Sequence, residues 1–239
     1  LTRIDLTRVP LAWSQALLAQ AWPAAHLKAG RMSGSLGIHV PDKRPLRVEG
    51  RLDVDGLGLD TPDGSIAAEG LGARIDLDYR KSAGLSLVTL DGLVRGGELL
   101  VGSAYVSLPA TPVSVNVAAR QQGRAGWEIP RLSWQDGDAL RVEGTLAFAP
   151  QANLPDADLH VASGDLLPLR PRYLSGWLGL FGLGELQLQG ALQSHPVMQS
   201  GALVRVETDL HDVSLIDGQQ RFCLQGLSGN PLFSPRAPA

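Results

Sequence analysis

The amino-acid sequence predicts a mainly β fold, and three observations point to it. Within residues 46–60, Val48, Leu52 and Val54 alternate with charged residues, as in a strand with one apolar and one polar face. The first five residues of that segment, Leu-Arg-Val-Glu-Gly, return at residues 140–144. Glycine accounts for 28 residues while aromatic residues make up only 5%, a composition that favours many short strands joined by tight turns.

Length, charge and cysteine content exclude several classes of protein. The 239 residues suffice for one large β domain or for two smaller units, and length alone leaves both open. A net charge of -3 with scattered arginines argues against nucleic-acid binding. The single cysteine, Cys223, excludes an intrachain disulfide. No stretch approaches the roughly 20 apolar residues that span a bilayer, and none has the features of a signal peptide.

The N-terminal region predicts a short strand over residues 1–9 and a helix over residues 10–22. A proline occupies the first helical position, and Ala, Leu and Gln follow it. Apolar residues four positions apart form two pairs on this helix, Trp13 with Leu17 and Leu18 with Trp22. Two interpretations remain open: the helix caps the end of a β core, or it contacts a membrane surface.

The sequence predicts turns and a β-bulge on either side of residue 50. Glycines at positions 30, 34 and 37 predict a turn or hairpin over residues 32–36. At Gly56 the alternation slips by one position, and Leu57 and Leu59 then keep the apolar side inward, as at a β-bulge. Residues 61–64, Thr-Pro-Asp-Gly, predict a β-turn.

The middle of the chain predicts further strands. Ile75 and Leu77 alternate with Arg and Asp residues. The dipeptides at residues 91–92 (Asp-Gly) and 96–97 (Gly-Gly) predict turns, and strands are predicted over residues 100–108 and 113–119. Pro130 predicts an edge strand or a break between two short strands, because proline donates no ladder hydrogen bond. The next strand has four apolar residues on one face: Leu140, Val142, Leu146 and Phe148.

The Pro-, Asn- and Gln-containing segment 149–156 predicts an internal boundary. We therefore divide the chain into a β unit over residues 1–150, a second β unit over residues 151–229 and an irregular tail over residues 230–239. The second unit opens with an apolar helix over residues 171–182. Its strands carry Leu186, Leu188, Val204, Val206 and Leu210.

Part of the chain is repeated. Residues 47–57, the Asp-Gly dipeptide at 63–64 and the Gly-Leu-Gly at 70–72 are echoed by residues 205–215, 217–218 and 226–229. Both copies predict a strand with a phase slip, an Asp-Gly turn and a second strand. A unit of this kind buries its apolar face by stacking on a neighbour, which predicts an elongated body.

Motifs for nucleophilic catalysis, phosphate binding and metal binding are absent from the sequence. The five histidines are isolated and none stands at metal-ligand spacing, so we predict surface or strand-edge histidines. Asp53 and Asp55 match part of a calcium loop, but the distal glutamate is missing. We therefore predict no catalytic residue, no metal and no cofactor. A hydrolase or carbohydrate-active β-sandwich is the least favoured interpretation, since it needs a cleft with convergent carboxylates or a histidine.

Four segments carry a family resemblance. They share a rhythm of amphipathic strands, and in three of them the apolar–polar alternation ends in glycine: residues 140–146 (Leu-Arg-Val-Glu-Gly-Thr-Leu), 186–192 (Leu-Gln-Leu-Gln-Gly-Ala-Leu), 210–215 (Leu-His-Asp-Val-Ser-Leu) and 222–229 (Phe-Cys-Leu-Gln-Gly-Leu-Ser-Gly). This rhythm, over about residues 27–229, resembles the AsmA-like superfamily of Gram-negative envelope proteins, and within it the large YhdP and TamB type. The chain is far shorter than such proteins, so we expect a fragment.

The resemblance implies an elongated, curved antiparallel sheet that forms an open groove in the periplasm, held at the inner membrane by a segment outside this chain. Phospholipid acyl chains would occupy the groove on their way between inner and outer membrane, with inner-membrane and outer-membrane proteins as further partners. An alternative is an envelope assembly or secretion component that binds proteins through exposed strand edges. The implied groove lining is Val48, Leu52, Val54, Leu57, Leu59, Ile75, Leu77, Leu140, Val142, Leu146, Phe148, Leu186, Leu188, Val204, Val206 and Leu210. The helix residues expected to contact a membrane or cap the sheet are Trp13, Leu17, Trp22, Trp177 and Phe181.

Overall fold

The computed structural model of the chain describes residues 2–21, 24–40, 46–102, 104–150, 154–219 and 221–234, without the side chains at positions 17, 20 and 21. The fold is mainly β, as predicted: one large open antiparallel sheet that is not closed into a barrel. The strands are β1 (Thr2–Pro10), β2 (His26–His39), β3 (Leu46–Asp60), β4 (Ile66–Ser82), β5 (Leu85–Arg95), β6 (Glu98–Val101), β7 (Ala104–Ser107), β8 (Val113–Gln122), β9 (Trp127–Asp136), β10 (Leu140–Ala147), β11 (Asp156–Ser163), β12 (Gln187–Gln199), β13 (Ala202–Ile216), β14 (Cys223–Gly229) and β15 (Leu232–Phe233).

The strand order in the sheet follows the chain. Strands β1 to β5 lie side by side and are followed by β8 to β14, while the β6–β7 hairpin lies beside β4 and β15 pairs with β13. Consecutive strands with short connections pair in this way because the connections favour antiparallel neighbours. The short strand β15 falls in the tail that was predicted to be irregular.

Both predicted helices are present. The first is a 3-10 turn over Leu11–Ser14 that continues as α1 (Gln15–Ala21), and the Gln15 side chain anchors it to the start of β2. Its amide donates to the Ala25 carbonyl at 2.8 Å and its oxygen accepts from the Leu27 N–H at 2.8 Å. The second helix begins with a π-helical turn over Arg170–Leu174 and continues as α2 (Ser175–Leu180), which packs against β7.

The chain forms two compact units from interleaved segments. Unit 1 contains residues 1–80, 90–114 and 171–184, and unit 2 contains residues 81–89, 115–170 and 185–239. The division inferred from sequence, with one boundary near residue 150, stays a prediction.

Buried apolar residues are few in both units. Unit 1 buries Leu11, Ala25, Ala68, Leu108, Val113 and Leu178, and unit 2 buries Ala139, Ala157, Leu166, Leu169, Leu186, Leu188 and Val213. Against these thirteen, eighteen large apolar side chains of the described residues are exposed. Much of the apolar surface is therefore accessible.

Two predicted turns are wrong because their glycines serve close packing between strands. Strand β2 runs without a turn through residues 32–36, and a Cβ on Gly34 would lie 2.1 Å from the Arg51 carbonyl oxygen of β3. Strand β5 likewise runs through Asp91 and Gly92, where a Cβ on Gly92 would lie 3.3 Å from the Arg74 carbonyl oxygen. Conversely, the strand predicted over residues 100–108 is interrupted between β6 and β7, next to Gly102 with a φ of 60°.

Pro130 lies inside β9, which runs unbroken and has β8 and β10 on its two sides. The expected edge position or strand break is therefore wrong. The register shifts between Gly144–Leu132 and Leu146–Ile129, so that β9 has one extra residue at the proline. A bulge of this kind accommodates proline because the bulged residue is left out of the ladder.

Each copy of the internal repeat has a left-handed residue in both of its strands, although in the first strand the two copies place it two positions apart. In the first, β3 and β4 each contain one left-handed glycine, Gly56 with a φ of 64° and Gly70 with a φ of 70°. In the second, β13 and β14 contain Asp212 with a φ of 49° and Gly226 with a φ of 67°. The phase slips inferred from the sequence therefore correspond to left-handed residues inside long strands.

Candidate functional site

The apolar residues predicted on β3 lie on one face of that strand. The register places Val48 opposite Ile38 and Val54 opposite Met32, and directly opposed residues of an antiparallel pair share a face. Leu52 lies two residues from Val54 on the same face. All three predicted residues are half-buried, which is the burial of a sheet face that no second layer covers completely.

Ion pairs occupy the opposite face of β3 and β4. Arg47 contacts Asp78 at 2.8 Å, Arg51 contacts Asp76 at 2.7 Å and Arg74 contacts Asp53 at 2.7 Å. Because side chains alternate along a strand, Ile75 and Leu77 lie on the apolar side of β4, where both are half-buried. The two faces of this strand pair therefore differ sharply in polarity.

Leu57 and Leu59 follow the left-handed residue Gly56 and are also half-buried. Leu59 lies opposite Leu27 of β2. It also lines a cleft of about 420 Å³ in unit 1, together with apolar residues such as Leu99 and Leu100 and four charged residues: Lys28, Asp60, Glu69 and Glu98.

The apolar residues predicted in unit 2 fall into an accessible group and a buried group. Val142 lies opposite Val161, Leu146 opposite Ala157, Val206 opposite Pro196 and Leu210 opposite Leu192. Those four predicted residues are half-buried, as are Leu140 and Val204, and Phe148 just beyond β10 is exposed. Leu186 and Leu188 instead have only 6% and 7% of their surface exposed, so they lie in the core of unit 2.

The aromatic residues predicted on the helices are exposed. Trp13 is 77% exposed, and Trp177 and Phe181 are 53% and 64% exposed and form an edge-to-face pair with ring centroids 5.3 Å apart. The Leu17 side chain and Trp22 lie outside the described residues. The same helical segments bury Leu11 and Leu178, so contact with a membrane surface and capping of the sheet both stay predictions.

Arginine contacts lower the pKa of two carboxyl groups. Hydrogen bonds from Arg47 and Arg80 hold the pKa of Asp78 well below its usual range. Hydrogen bonds from Arg221 to the buried Asp217 lower the pKa of that carboxyl to about 2. Asp78 lies within β4 and Asp217 directly follows β13, so each of these ion pairs supports the local fold.

The structure brings together two histidines that are 35 positions apart in the sequence. The pairings of Asp158 with Val197 and of Val161 with Ser194 place His160 directly opposite His195. Their rings stack with centroids 4.2 Å apart, and His195 Nε2 lies 2.7 Å from Asp158 Oδ1. Both histidines line a cleft of about 620 Å³ on the polar side of unit 2.

Sequence reasoning missed this cluster because the helix over residues 170–180 separates β11 from β12. The prediction that all five histidines are isolated is wrong for this pair. The available signal was that His160 and His195 both fall at polar positions of amphipathic strands, but only the strand order and register make them neighbours.

Among the described residues, neither helical segment has the length and hydropathy of a membrane-spanning helix. Comparisons of the chain with protein-family models, with curated proteins and with solved structures found no match.

Proposed function

We propose that this chain is a non-enzymatic envelope protein of the AsmA-like kind, which acts in the periplasm and binds or conducts phospholipid along the apolar face of its sheet. The observation that carries this proposal is the separation of the two faces within each unit: incompletely buried apolar residues share one face of a strand and charged residues the other, with Leu52 and Val54 in unit 1 and Val142 and Leu146 in unit 2 as examples. A soluble protein that leaves such a face accessible offers it to an apolar ligand.

Acyl chains suit this face for a physical reason. Each methylene that moves from water to an apolar surface contributes about 0.8 kcal/mol, so that a chain lying along several strands binds without any polar anchor. The other face of β3 and β4 is occupied by three Arg–Asp pairs. Lipid is therefore expected on one face only.

Site-specific crosslinking tests the proposal. A photo-reactive amino acid at Leu52 is expected to capture a phospholipid, and the same residue at Asp53, next to it but on the charged face, is expected to capture none. In unit 2, Val142 and Arg141 form the equivalent pair of positions. Protein purified without detergent is expected to carry phospholipid in native mass spectrometry.

A result of equal capture at Leu52 and Asp53, or of lipid-free protein that captures no added phospholipid at either position, overturns the proposal. Circular dichroism of each labelled protein confirms that the sheet has formed before the capture is compared.

Binding of a protein through a strand edge is the second candidate. It is favoured by the position of β1 at the end of the strand order, where most of its residues are exposed. A partner polypeptide would extend the sheet by backbone hydrogen bonds. Crosslinking from the exposed Thr2 and Asp5 positions to a polypeptide, together with no lipid capture at Leu52, would favour this candidate.

A further inference from the structure

A row of ionisable side chains crosses the polar face of unit 2. The register places Glu143 opposite His160, and His195 opposite Glu207. With His160 opposite His195, the row reads acid, histidine, histidine, acid across strands β10 to β13. Asp158 lies two residues from His160 on the same face and contacts His195.

The donor atoms of Asp158, His160 and His195 already lie close together. One ring nitrogen from each histidine and one carboxylate oxygen lie within 4.8 Å of one another. Ligands of a tetrahedral zinc ion at bond lengths of about 2.0–2.2 Å stand about 3.3 Å apart. Asp158 and His160 are exposed and His195 is half-buried, so their side chains have room to rotate. The two stacked rings must tilt apart for both nitrogens to reach one ion.

The charges around the row favour a cation. Three carboxylates, from Asp158, Glu143 and Glu207, surround the two imidazoles. Arg141 pairs with Glu143 at 2.8 Å and Arg205 pairs with Glu207, so two of the three negative charges are balanced. The Asp158 carboxylate is the remaining negative charge beside the two histidine rings.

We propose that His160, His195 and Asp158 form a binding site for a divalent transition-metal ion of the zinc type. Two imidazoles and one carboxylate are donors that such ions prefer, and three protein ligands leave one position for water. The ion would join β11 to β12 on the polar face, independently of any lipid on the apolar face. Glu143 and Glu207, on either side of the row, are placed to orient the imidazoles or to complete the ligand set.

Calorimetric titration with Zn²⁺ alone tests the site. The protein should carry no histidine tag, should be pretreated with chelator, and should have the substitution Cys223→Ser, because the exposed thiol of Cys223 is itself a zinc ligand. The expected result is one Zn²⁺ per chain. His160→Gln, His195→Gln and Asp158→Asn are each expected to weaken binding by about tenfold or more.

The matched control is His39→Gln. His39 also faces a carboxylate on the neighbouring strand, with its Nε2 3.2 Å from Glu49 Oε1, but it is not in the cluster of three donors. Its loss is expected to leave the affinity for Zn²⁺ unchanged. The Co²⁺ complex of the parent protein gives a second readout, an absorption spectrum of a site with nitrogen and oxygen ligands.

The proposed site is wrong if the protein does not bind one Zn²⁺ per chain. It is also wrong if the His160→Gln/His195→Gln double variant binds Zn²⁺ as tightly as the parent. Equal weakening by His39→Gln would also count against it. Circular dichroism in chelator verifies that each variant has folded, so that lost binding reports on the ligands.

Discussion

Strand β3 of unit 1 and strand β13 of unit 2 carry the same Arg-Val-Glu sequence, at residues 47–49 and 205–207, and meet different neighbours. Arg47 pairs across the sheet with Asp78 of β4, and Glu49 contacts His39 of β2. In both strands the arginine also pairs with the glutamate two residues on, Arg47 with Glu49 and Arg205 with Glu207. In unit 2, however, the histidine opposite that glutamate, His195, stacks on His160.

The difference shows that the side chains on a polar face find their partners on the neighbouring strand, and that those partners determine whether the face forms ion pairs or a cluster of possible ligands. In unit 1, arginines and aspartates from adjacent strands neutralise one another, so that this face holds the strand pair together. In unit 2, the two histidines and Asp158 face one another, and Arg141 and Arg205 pair with the flanking Glu143 and Glu207. The first face is a structural ladder, and the second has the composition of a binding site.

The largest difference in stability between β3 and β13 is expected for substitutions of their apolar residues. Val213 of β13 is 4% exposed, whereas Val54 of β3 is half-buried. Val213→Ala should lower the free energy of unfolding by about 2 kcal/mol, because it leaves a cavity in a packed core, and Val54→Ala by about 1 kcal/mol or less. Urea unfolding followed by circular dichroism measures both. Equal losses would show that the apolar face of β3 is as well covered as the core.

Substitutions in the ladder of Arg–Asp pairs between β3 and β4 should have the next largest effect on the free energy of unfolding. Asp78 accepts hydrogen bonds from two arginines and its side chain is 26% exposed. Asp78→Asn is expected to cost about 1–2 kcal/mol of unfolding free energy. Asp53→Asn is the matched control, because that carboxylate is 41% exposed and pairs with one arginine; we expect about 0.5 kcal/mol. A larger loss of unfolding free energy for Asp53→Asn than for Asp78→Asn would contradict the prediction that the carboxylate with two arginine partners contributes more.

The sequence alone predicts much of this comparison, and the features that it does not predict depend on contacts between different strands. Alternation over residues 46–60 correctly predicts the strand and its two faces because the period of a strand is a local property. The role of Gly34 was not predictable, since it depends on the Arg51 carbonyl of another strand. The histidine cluster was missed for the same reason: its formation depends on which strands pair and in what register.

The pH dependence of the ladder should follow the lowered pKa of Asp78. A carboxyl group whose pKa is lower in the folded state stabilises the fold above its unfolded-state pKa of about 3.9, and loses that contribution as the pH falls toward the folded value. The stability difference between the parent and Asp78→Asn should therefore shrink by about 1 kcal/mol between pH 5 and pH 3. Urea midpoints at pH 7, 5 and 3 measure it. A difference that grows in acid would exclude the Arg47 and Arg80 contacts as its cause.

The smallest effect is expected in the histidine row without metal. His195 is 27% exposed and gains one hydrogen bond from its contact with Asp158, so His195→Ala should cost about 0.5 kcal/mol in chelator. His39→Ala should cost a similar amount, because His39 has a comparable contact with Glu49.

Added zinc should then stabilise the His39 and His195 variants to different extents. At a free Zn²⁺ concentration ten times the parent's dissociation constant, the parent and His39→Ala should each gain about 1.4 kcal/mol, while His195→Ala, whose binding is weakened tenfold or more, should gain about 0.4 kcal/mol or less. Hydrogen exchange should place that gain in β11 and β12, since only those strands are joined by the proposed ligands, and protection of β3 and β4 instead would mean that the ion binds to the ladder.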